Sequence, residues 1–132
     1  MRPLKVCLWV AAVVCLLSVV GLFLPAAAFE SFARMTGADT LPDSPVVWYG
    51  LRVMSATYVV IGAFLLILAR DPVKYGPLVP FSGVAAVFLG FVCGISGFGS
   101  HMPLFWFLGD SLSLMAFGIL ALALWRRATT AK

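Results

Sequence analysis

Apolar residues fall into four long runs separated by short polar pieces, at 6–24, 46–69, 81–99 and 104–125. About 20 helical residues cross the hydrocarbon core of a bilayer, so each run has the length of a membrane span. The pattern predicts an all-α membrane protein, with four transmembrane helices in an antiparallel bundle, as a single domain over 1–132. Pro25 closes the first run, and the prolines and Gly76 of RDPVKYGPLVP (70–80) leave room for little more than a turn. SHMP (100–103) reads as a minimal hairpin. The longest non-spanning piece is 26–45, where Phe29, Phe32, Ala33 and Met35 share one side of a short helix and Glu30 and Arg34 supply polarity. That arrangement predicts a short interfacial helix after the first span, ended by Gly37 and followed by a turn over 39–45.

Composition agrees with this reading. Hydrophobic residues make up 63% of the chain and charged residues 11%, against about 25% charged in soluble domains. A core of this size has too little polar surface to cover itself in water. Arg2 and Lys5, the apolar run and Ala26-Ala27-Ala28 together imitate a secretory signal peptide. A signal's apolar region is about 7–15 residues, and this run is longer, which favours a retained first span.

The net charge of +4 is placed as topology signals are, at the ends of apolar runs, rather than as a nucleic-acid surface. Four spans put Arg2, Lys5, Arg70, Lys74, Arg126, Arg127 and Lys132 on one side. Arg34 and His101 lie on the other, with Glu30, Asp39 and Asp43. This bias predicts a multi-pass protein of the cell membrane with both termini cytoplasmic; Trp48, Tyr49 and Trp106 mark the outer interface.

Two charges interrupt the spans: Arg52 in the second and Asp110 in the fourth. Each lies six residues from its span's outer start, about 9 Å along a helix. Burying either alone is expensive, so a buried Arg52–Asp110 ion pair is expected, with Ser18, Ser96, Ser111 and Ser113 supporting a polar layer. The alternative has Arg52 snorkelling to the outer interface and Asp110 left to hydroxyls. Such a pair either fixes the fold or marks a binding site, and the residues weigh the two equally. In the third span Ser82, Ala86, Gly90 and Gly94 recur every four residues, a small-residue ridge for close helix packing.

No catalytic constellation, cofactor motif or metal-ligand cluster stands out. Cys7, Cys15 and Cys93 all lie in apolar runs without a C-x-x-C spacing, and His101 is the lone histidine. Tyr58 and Tyr75 read as packing or interface residues.

The second to fourth spans resemble the BphX-like group of small four-helix membrane proteins. The residues are Arg52 with Ser55-Ala56-Thr57-Tyr58, Gly62, Ala69-Arg70-Asp71-Pro72, Phe81-Ser82-Gly83, Gly90, Trp106, Gly109-Asp110 and Gly118. The resemblance implies a four-helix fold and no assigned activity. Small multidrug transporters fit less well, because the first span holds no acidic residue, and membrane thiol oxidoreductases need paired cysteines. The expected function is a non-enzymatic accessory or scaffold component, whose partners are the bilayer and either a second copy or another membrane protein. An oligomeric transporter or channel using the polar layer is the alternative, and an enzyme of lipid-soluble substrates a distant third. Intact mass checks the first span: the mature protein should retain it, and a product starting near Phe29 would contradict that.

Overall fold

A computed structural model describes residues 2–37, 44–100 and 104–130, which form six helices and no strand. They are α1 (Arg2–Leu16), α2 (Val19–Phe23), α3 (Ala26–Met35), α4 (Pro45–Arg70), α5 (Leu78–Gly99) and α6 (Leu104–Thr130). Four segments are long and apolar enough to cross a membrane: α1 with α2, α4, α5 and α6. Residues 39–43 of the turn expected over 39–45, the hairpin residues His101 to Pro103, Lys132 and the side chain of Trp106 lie outside the described residues, and Pro45 already opens α4.

Local chemistry explains the boundaries. Between α1 and α2 the backbone tightens, with Ser18 N–H donating to Cys15 O at 3.1 Å and Gly21 N–H to Ser18 O at 2.9 Å. These are three-residue reaches, a single tightened turn inside one span. Leu24 is extended, as a residue before proline prefers, and Pro25 then opens α3. Helix α5 begins three residues earlier than the sequence pattern suggests. Pro80 falls in its first turn, where a missing N–H costs no intrahelical bond. Helix α6 runs past Trp125 to Thr130, and the Thr129 and Thr130 hydroxyls fold back onto the carbonyls of Trp125, Arg126 and Arg127 in its last turns.

The long helices pack as two intimate pairs, α1 with α4 and α5 with α6, with α1 also touching α6 and α2 touching α4. In the first pair residue numbers run in opposite senses. Lys5 Nζ donates to Arg70 O at 3.2 Å, while Gly62 lies against Ala12 and Leu16, and Gly21 against Ser55. The ammonium also meets the negative end of the α4 dipole. The second pair is closer still. A β-carbon at Gly83 would sit 3.1 Å from Gly118 O, and one at Gly90 2.8 Å from Ser111 O; Gly97 faces Phe107. The seam meeting α6 thus follows Gly83, Gly90 and Gly97, with Gly94 beside Ser111 Oγ and with Ser82 and Ala86 buried.

The core shared by the two pairs lies at the end that carries the start of α1 and the end of α6. It comprises Leu4, Leu8 and Ala12 of α1, Leu65, Leu68 and Ala69 of α4, and Val79 of α5. Phe117, Leu124 and Trp125 of α6 pack against it. The α4–α5 connection seals this end: Pro72 is fully buried, Gly76 rests on Trp125, and Asp71 Oδ1 accepts from Lys74 N–H at 3.1 Å.

A paired substitution in α6 checks the glycine seam. Gly118→Ala places a methyl against Gly83 O and Val87 N and is expected to destabilise the protein by about 1–3 kcal/mol. Gly109→Ala meets nothing within 4 Å and is expected to be neutral or to stabilise by up to about 1 kcal/mol, the helix-propensity gain. Reversible unfolding in mixed micelles measures both.

Candidate functional site

Arg52 stands two turns into α4, on the same face as Pro45, Trp48 and Tyr49, because residues seven, four and three apart stack along a helix. Its side chain is exposed and lines a cavity of about 510 Å³ with those three residues and with Leu24, Ala26 and Phe29. The last three come from the turn at Pro25, which lays the start of α3 across the start of α4. Phe29 and Trp48 form a tilted aromatic pair, with ring centroids 6.3 Å apart and planes at 58°. The result is an aromatic and aliphatic hollow with a single charged lining group, positive, at the end of the molecule opposite the shared core.

Asp110 stands on α6, exposed, and Arg52 is not its partner. No ion pair joins the two side chains: α4 packs chiefly on α1 and α2, and α6 chiefly on α5 and α1. Equal depth along two helices does not bring two particular side chains together. What lies within electrostatic reach of Asp110 is the Tyr58 phenol of α4 and the Cys93 thiol of α5; Tyr58 is also in reach of Cys15 of α1. Tyr58 reads in sequence as a packing residue. The available signal was a polar-tipped ring in the middle of an otherwise apolar run.

Among the described residues no hydrogen bond joins the four serines to one another. Ser111, 7% exposed, turns toward α5 and donates its hydroxyl to Gly90 O at 2.7 Å, a hydrogen bond between helices. Ser113 is exposed and bonds back to Asp110 O at 3.1 Å. Ser18 sits in the tightened turn without a side-chain cap, and Ser96 is exposed on α5. The three cysteines are free and half-buried. Among the described residues no three His, Cys, Asp or Glu side chains are grouped to hold a metal.

No family model matches the chain, and no curated protein or solved structure does either.

Substitution separates the two serines of α6. Ser111→Ala should cost about 0.6–1.7 kcal/mol of unfolding free energy, the span of interhelical hydrogen bonds in membranes. Ser113→Ala, losing only a bond within its own helix, should stay within about 0.5 kcal/mol. Equal effects would contradict the assignment of Ser111 as the bridge between α5 and α6.

Proposed function

We propose that the chain is a non-enzymatic integral membrane protein, an accessory or scaffold component that associates with other membrane helices through the face of α6 carrying Asp110. On this reading the four long segments form an antiparallel bundle across the membrane. Helix α3 lies at the outer interface and both termini are cytoplasmic. Supporting the orientation, Arg2, Lys5, Arg70, Lys74, Arg126 and Arg127 all belong to the end with the shared core, and Arg34 belongs to the other. Membership of the BphX-like group would fit the same four-span architecture.

The observation that carries the association is Asp110. A carboxylate inside an apolar helix costs about 2.5–3.5 kcal/mol at the helix centre on insertion scales. Here it is exposed, with no ion pair among the described residues, while its neighbour Ser111 is spent on α5. A donor from a second chain relieves that cost. Against a channel made by one chain, Leu4, Leu8, Leu68 and Val79 fill the end opposite Arg52, so the hollow there leads into a packed core.

Two measurements test this reading. With Cys7, Cys15 and Cys93 replaced by alanine, Ser31→Cys should react with an impermeant maleimide added to intact cells, and Thr129→Cys only after permeabilisation. The opposite pattern would overturn the orientation. A photo-crosslinker at position 113 should yield a discrete adduct with a second copy or another membrane protein, and Asp110→Leu should abolish it. Lipid adducts alone, or a protein adduct indifferent to Asp110→Leu, would overturn the association.

A further inference from the structure

We propose that the hollow around Arg52 binds an anionic phospholipid from the outer leaflet, its phosphate on the guanidinium and its upper acyl chain along Leu24 and Phe29. The inference rests on the membrane-spanning reading but not on association through Asp110.

Four observations converge on this occupant. First, the cavity, about 510 Å³, falls in the range of pockets for ligands of drug size, far beyond a free phosphate. Second, its walls are Leu24, Ala26, Phe29, Pro45, Trp48 and Tyr49, which offer an apolar body more than they offer an ion. Third, Arg52 is the single charged group of the lining, and among the described residues no carboxylate pairs with it. A guanidinium presents a planar fork matched to two oxygens of one phosphate. Fourth, the hollow lies near the outer start of α4, beside Trp48 and Tyr49. That is the depth at which aromatic side chains meet headgroups.

Charge complementarity narrows the lipid class. A zwitterionic headgroup would bring its ammonium close to the guanidinium, whereas a phosphate ester of an uncharged alcohol leaves one negative charge to meet one positive. Phosphatidylglycerol has that chemistry, and phosphatidylcholine lacks it. The tightened turn at Ser18 and the break at Pro25 place the start of α3 over the same hollow, so the covering residues Ala26 and Phe29 come from the chain itself.

The test uses the full chain in detergent, with native mass spectrometry and thermal melting on added lipid. Phosphatidylglycerol should be retained at one per chain and raise the melting temperature, at least about tenfold more tightly than phosphatidylcholine. Arg52→Gln should remove that preference, and Arg52→Lys should restore part of it. The side chain is exposed, so folding should survive both changes. Arg34→Gln, an arginine of α3 outside the lining, and Asp110→Leu should leave retention unchanged. Preference for phosphatidylglycerol that survives Arg52→Gln would overturn the proposal, as would equal retention of the two lipids. Millimolar inorganic phosphate displacing the lipid one for one would assign the hollow to free phosphate and overturn it as well. Loss of lipid in Asp110→Leu would point to a different site on α6.

Discussion

If the four long apolar helices lie in lipid, as proposed, there is no water to expel between them, and helices associate by how closely their surfaces meet. The approach of α5 to α6 is therefore the constraint on which the rest depends. Gly83, Gly90 and Gly97 bare the backbone of α5 where Gly118, Ser111 and Phe107 come against it. Once that seam forms, the rotation of α6 is fixed. Ser111 must face α5, and Asp110, one residue and about 100° earlier, must face elsewhere. The exposure of the carboxylate follows from a glycine seam on another helix.

The α1–α4 pair applies the same device more sparsely, at Gly62 against Ala12 and Leu16 and at Gly21 against Ser55. The two pairs then share a core at one end, through Leu4, Leu8, Leu65, Leu68 and Val79. Polar and basic groups trim that end: Lys5 caps α4, and Asp71 orders the turn into α5. At the opposite end α3 folds over α4, leaving an aromatic hollow with Arg52 in its wall. Packing and charge are separated along the molecule, with the apolar core at the termini and both Arg52 and Asp110 away from it.

Much of the architecture was legible because span length, proline positions and basic flanks are local properties. The four long apolar helices, the short helix over 26–35 and the break at Pro25 all follow from them. Neighbour relations are not local, and there the pattern is incomplete. A ridge at four-residue steps, Ser82 to Gly94, rotates about 40° per step and drifts across the helix face. Seven-residue steps drift only about 20°, so the seam that meets α6 follows Gly83, Gly90 and Gly97. Gly90 belongs to both, and Gly94 of the four-residue ridge also lies against Ser111. In the same way depth along a span can be counted for Arg52 and Asp110, but which helices are adjacent cannot. Tyr58 near Asp110, and Phe29 on Trp48, depend on that adjacency.

The central claim is that the two charged residues inside the apolar runs, Arg52 and Asp110, act independently, one in an aromatic hollow and one on an open helix face. A double-mutant cycle measures this directly, with Arg52→Ala, Asp110→Ala and the double variant compared by unfolding free energy in mixed micelles. Independent sites add to within about 0.3–0.5 kcal/mol, and the account predicts a coupling no larger than that. A coupling well above about 1 kcal/mol would show that the two charges meet, and would contradict it.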